Sequence, residues 1–238
     1  REIRRNVRVL ISKSPAKEFI KENKPFLGKT LSKSMELMVQ EWTNTGFFPN
    51  ITLDDFYDDI KSTYNQPIAI LASVTDSSNF KEEGSYWGEA FKSEGDYVAG
   101  QLPRIGGNKI ELFGTAVFDG DIMVGELNGD ETRLMLMARG QFQRGFFTIP
   151  DPEISELIVP LDVRPARKPQ IKVRLEGNKP VISLKIQLEG DLLAVQSRIN
   201  YESKELKPML ETAFEQYVKE GLDKLIEKCK GLKADVFR

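Results

Sequence analysis

The sequence predicts an α+β fold in two domains, each a small, mostly antiparallel sheet packed with helices, the second closed by a long C-terminal amphipathic helix. Three observations carry this. Several short runs alternate apolar with polar residues, the period of a half-buried strand; Ile182, Leu184, Ile186 and Leu188 are the clearest. Other stretches repeat apolar residues every three or four positions, as Leu206, Leu210, Phe214 and Tyr217 do, which draws a stripe along a helix. Residues 76–109 keep no sustained period and are rich in Gly, Ser and charge, which places a domain boundary there and divides the chain into 1–98 and 99–238.

Each element follows in order. Ile3, Val7, Val9 and Ile11 alternate with polar neighbours and predict an opening strand. Ser14 and Pro15 form a helix start before AKEFIKEN. Leu27, Leu31, Met35, Met38, Val39 and Trp42 predict a longer helix that ends near Gly46. Another begins around Thr52, with Leu53, Phe56, Tyr57 and Ile60 facing inward and Asp54, Asp55, Asp58 and Asp59 on the solvated face. The apolar run IAILASV, 68–74, predicts a buried strand.

In the second half, ELFGTAVFDG and DIMVGEL meet at Asp-Gly, a hairpin signal, because glycine accepts the backbone angles of a tight turn. NGDETRLMLMA then opens a helix with Asp130 as its expected N-cap. FFTIP, ISELIVPLDV, IKVRLEG and VISLKIQLEG predict further strands, the last two joined in a hairpin through EGNKP. The terminal helix, from about Ser203, is expected to cover the dry face that Ile182 to Leu188 define, with Cys229 buried in its stripe.

Composition removes whole classes of function. The chain of 238 residues has 34 basic and 36 acidic side chains, well mixed, so it offers no basic stripe for nucleic acid. No window approaches the roughly 18 to 20 apolar residues of a spanning helix. With no histidine, every Ser-His-Asp, Cys-His and His-metal arrangement is excluded. The single cysteine closes no intramolecular disulfide.

The stretch GTAVFDGDIMVGELNGDET, 114–132, has the look of a calcium loop. An EF-hand starting at Asp119 needs oxygen ligands at its fifth and twelfth positions and glycine at its sixth; Met123, Asp130 and Val124 stand there. The pattern fails, so no metal or cofactor is expected, and Asp119 and Asp121 read as a wetted hairpin tip. The loop aromatics Tyr86, Trp87, Phe91 and Tyr97 have two uses open to them: docking on a neighbouring part of the chain, or contact with a partner.

The 114–132 stretch resembles the motif that opens the C-terminal domain of the Ger(x)C family, the C-subunit lipoproteins of bacterial spore germinant receptors. REIRRNVRVLISKSPAKEF is similar to the family's middle segment, and the terminal helix running into ADVF is similar to its C-terminal end. The resemblance extends over essentially the whole chain. It implies a non-enzymatic subunit on the outer face of the spore inner membrane, working beside two membrane-embedded subunits in nutrient-triggered germination. It also implies that a signal sequence, a lipid-bearing cysteine and an N-terminal portion precede residue 1. In that setting Tyr86, Trp87, Phe91 and Tyr97 become candidate partner contacts. Two other classes stay open from the residues alone: a carboxylate-dependent hydrolase of a wall polymer, which needs an acidic pair facing a cleft, and a small-molecule binding domain, which needs a substantial pocket.

Overall fold

The computed structural model describes residues 5–24, 30–76 and 95–237. Two sheets organise it. The first has the order β1 (Leu10–Ser12), β2 (Ile68–Val74), β3 (Ile110–Asp119), β4 (Ile122–Leu127); β1 pairs with β2 in parallel and the other pairs are antiparallel. The second is an antiparallel sheet of β5 (Gly145–Pro150), β6 (Ile158–Glu176) and β7 (Lys179–Leu192). Among the described residues six helices pack on them: α1 (Ala16–Glu22), α2 (Leu31–Gln40), α3 (Trp42–Thr45), α4 (Leu53–Lys61), α5 (Gly129–Ala138) and α6 (Lys207–Leu232). The α+β architecture expected from the sequence, with a closing C-terminal helix, is the one observed.

β2 is apolar except for Ser73 because it lies inside its sheet with both faces covered. Ile70 and Ala72 join Ile110 and Leu112 under Met35, Met38 and Trp42, so α2 and α3 cover that side. Ala69 and Leu71 join Phe113, Ala116 and Phe118 on the other. The expected boundary between residues 98 and 99 falls between β2 and β3, which are hydrogen-bonded neighbours, so both parts of the chain contribute to one sheet.

Several elements differ in detail from expectation. The opening strand is three residues long; Val7 is exposed, and Arg8 makes only an isolated bridge to Thr52. The long helix before Gly46 breaks at Glu41 into α2 and α3, and Gly46 closes α3 in the left-handed conformation. Tyr57 turns outward with the Lys61 ammonium 4.0 Å above its ring, while Asp59, expected in water, is buried. Asp55 is spent on a capping box with Thr52.

The largest correction concerns the last strands. ISELIVPLDV and IKVRLEG are not two strands but parts of β6, which runs unbroken for 19 residues. Pro165 and Pro169 suggest a break, yet β6 passes them with irregular register against β7, and β5 pairs only as far as Val163, so the prolines meet no third strand. α6 covers only the base of this sheet: Phe147 of β5 packs edge-to-face on Phe214 and Tyr217. The rest of β6 and β7 continues as a two-stranded ribbon whose Ile182 and Leu184, expected on a dry face, are exposed.

Candidate functional site

The 114–132 motif forms β3, β4 and the first turn of α5, and its unusual residues hold these three together. Phe113 and Gly114 together face Leu71, a bulge that changes which side of β3 faces which core. Gly114 has φ +91, and a Cβ there would meet the carbonyl of Leu127 in β4, so glycine is required twice over. Gly129 lets the start of α5 sit on the stacked rings of Phe47 and Phe113; a Cβ would come within 2.7 Å of Phe47. Thr115 and Thr132 share a buried hydroxyl–hydroxyl hydrogen bond of 2.8 Å.

Asn128, not Asp130, caps α5. Its Oδ1 accepts the Glu131 N–H at 2.8 Å, and Glu131 accepts the Asn128 N–H at 2.8 Å. Glu131 also receives Lys228 Nζ of α6 at 2.6 Å, tying the capped end of α5 to the terminal helix. Gly125 lies so close to α6 that a Cβ would come within 2.6 Å of Leu232. Asp119 and Asp121 stay exposed at the hairpin tip. The motif is therefore a joint between the first sheet, α5 and α6.

Beside this joint lies a cavity of about 150 Å³ bordered by Thr45, Phe47, Asp130, Arg133, Phe147 and Tyr217. The Arg133 guanidinium is buried, 3.5 Å over the Phe47 ring and 4.6 Å over Phe147, and its Nε donates to the Thr45 carbonyl at 2.8 Å. Among the described residues, Asp130, 3.9 Å from Arg133, is the one carboxylate in its lining. A second cavity of about 230 Å³, lined by Met137, Phe142, Pro169 and Ile186 among others, has none. Both are smaller than the roughly 300–1,000 Å³ of ordinary ligand sites. Among the described residues no group of three or more His, Cys, Asp or Glu side chains could hold a metal ion.

A cluster with the look of chemistry stands elsewhere, outside every motif singled out above. Asp151 is buried and accepts from the Ser197 hydroxyl at 2.6 Å, from the Tyr201 hydroxyl, and from the Glu153 and Ile154 N–H groups at 3.0 and 3.2 Å. Burial opposes its charge, but these hydrogen bonds together outweigh it and hold the carboxyl below its ordinary value. Burial, reinforced by the Asp151 hydrogen bond, pushes Tyr201 up to about 12. A low carboxylate and a high phenol leave no base or nucleophile poised near neutrality. What the cluster does is fasten the 151–154 turn to the 197–201 segment. The signal that could have pointed to it is Asp-Pro at 151–152, since Asp bonding two residues onward is a common turn device.

Cys229 is buried in α6, and burial raises its thiol to about 11, so it is a packing residue. Of the loop aromatics, Tyr86, Trp87 and Phe91 lie outside the described residues. Tyr97 is half-buried against the Phe113 and Phe118 side of the first sheet, and its carbonyl accepts the Gly129 N–H at 3.1 Å.

These features define a class: an α+β protein of two sheets joined through a hairpin–helix motif. Residues 113–238 match the family described as spore germination B3/GerAC like, C-terminal, and residues 1–74 match the spore germination protein N-terminal domain. The chain belongs to this Ger(x)C family, which is of the germinant-receptor C-subunit type. A solved structure described as the crystal structure of the GerBC protein is similar in fold, with 15% identity and a TM-score of 0.59, over 98% of this chain. The chain spans 57% of the length of that GerBC chain. No curated protein matches.

Proposed function

We propose that this chain is the C subunit of a spore germinant receptor, held at the spore inner membrane by a lipid on a preceding segment, and that it acts in nutrient-triggered germination by assembling with membrane-embedded subunits. The observation that carries this reading is how the 114–132 motif is used. Gly114, Gly125 and Gly129, the paired threonines, the cap and Glu131 all serve contacts within the chain, which suits a rigid recognition body better than a reacting centre. Membership of a germinant-receptor family supplies the biological setting.

The aromatic segment is our proposed contact for those subunits, because tryptophan and phenylalanine supply much area at low entropic cost and are enriched at interfaces. The Trp87→Ala, Phe91→Ala double variant is expected to lose co-purification with the membrane-embedded subunits from spore membranes and to slow the nutrient response. Undiminished recovery together with an undiminished response would remove this segment from the interface.

A further inference from the structure

The ribbon formed by the outer parts of β6 and β7 carries an apolar face that stays exposed among the described residues. Past Val163 the third strand is gone, and residues 164–176 of β6 pair with β7 alone. At about 3.3 Å per residue this overhang is about 40 Å long. Near its base Ile186 and Leu188 pack on the main core. Further out, Ile171 faces Leu184, Val173 faces Ile182 and Leu175 faces Pro180 across the ladder, so all six share one side. Their exposure is large: 67% for Ile182, 65% for Val173, 73% for Leu175. A bare two-stranded ribbon is marginally stable in water, and exposed β-branched side chains in a contiguous patch mark a surface meant to be covered.

The charge around this patch says what covers it. Residues 167–187 contain six basic side chains and one acidic, in a chain whose net charge is −2. Lys172, Arg174, Lys179 and Lys185 lie on the reverse side of the same ribbon, Arg174 paired with Glu176 at 2.9 Å. An apolar stripe backed by lysine and arginine is the arrangement that settles into an anionic lipid surface: the aliphatic groups enter the headgroup–acyl boundary and each nearby cation adds attraction to the anionic headgroups. A protein partner fits less well, because lysine is depleted from protein interfaces and the stripe contains none of the Trp, Tyr or Arg that dominate their energetics. A second ribbon fits least, since two strongly cationic hairpins would repel. Among the described residues no third strand pairs with either edge of the ribbon, and a ribbon lying flat in the headgroup layer keeps those edges hydrated.

We propose that the β6–β7 ribbon docks directly on an anionic phospholipid surface, with Ile171, Val173, Leu175, Ile182 and Leu184 toward the lipid. This goes beyond the receptor-subunit reading and does not depend on it, since it requires no other subunit. The test is flotation of the 238-residue chain, with no lipid attached, on vesicles of phosphatidylcholine alone or of phosphatidylcholine mixed with phosphatidylglycerol. Binding to the mixed vesicles at low salt is expected, with little to the neutral ones and marked weakening at high salt. The Val173→Ser, Ile182→Ser variant and, separately, the Lys172→Glu, Arg174→Glu variant are each expected to bind about tenfold or more weakly. These positions are exposed, so circular dichroism should show native folding in both. Failure of the unaltered chain to float with anionic vesicles overturns the proposal. So does equal binding to neutral vesicles, or unchanged binding by either variant. If the ribbon variants instead leave flotation untouched and lose co-purification with a receptor subunit, the face belongs to a protein.

Discussion

Asp151 shows how much a single polar residue can hold. Four donors converge on its carboxylate, two from hydroxyls and two from the backbone of its own turn. Asp151→Ala leaves those donors without an acceptor in a buried place, so a loss of about 3 kcal/mol is expected in urea unfolding, with Tyr201→Phe costing about 1 kcal/mol. The pH dependence has a definite sign. Asp151 sits below its ordinary 3.8, so its contribution is present above that value and fades as pH falls through the lower folded value. Tyr201 is raised from 10.0 to about 12, so its contribution is intact below 10.0 and fades as pH rises toward 12. Asp151→Asn should therefore make stability less sensitive to acid, and an unchanged acid limb would contradict the assignment. No periodicity announces this network, because its members come from two irregular segments that only tertiary packing brings together.

At the scale of elements, β7 alternates apolar and polar residues from Ile182 to Glu189, yet the alternation has two different outcomes. Leu188 packs on the core and Ile182, on the same side of the same strand, does not. Leu188→Ser is expected to cost about 2 kcal/mol in stability, and Ile182→Ser to stay within about 0.5 kcal/mol of the unaltered protein by the same denaturation measurement. The alternation was legible in the sequence; the cover was not, because a period of two reports that a strand has two unlike sides and says nothing of what stands opposite. The same limit explains α5. Its capped start and acidic first turn were legible, but choosing Asn128 over Asp130 depends on which residue has the extended backbone of a cap. The apolar run of β2, interrupted only by Ser73, is legible because a strand covered on both faces leaves a compositional trace. The burial of Asp59 left none, since nothing in the run Asp54 to Asp59 distinguishes it from its neighbours.

Over the whole molecule, the hairpin–helix joint connects parts far apart in the chain: Phe47 from the early helical region, Lys228 and Leu232 from the last helix. The matches at 1–74 and 113–238 fall on either side of the β2–β3 pairing that makes the first sheet continuous. This pairing bridges residues 75–109, and it sets an order of events for a chain still on the ribosome. Once IAILASV has emerged, an almost wholly apolar strand must wait, its edge open, until translation delivers GTAVFD to zip against it. A polypeptide ending at residue 76 is expected to be insoluble or chaperone-bound when synthesised alone, and one continued through Leu127 to be markedly more soluble in the same expression trial. A soluble, monomeric short fragment would mean that the amino-terminal helices can shield the waiting strand unaided.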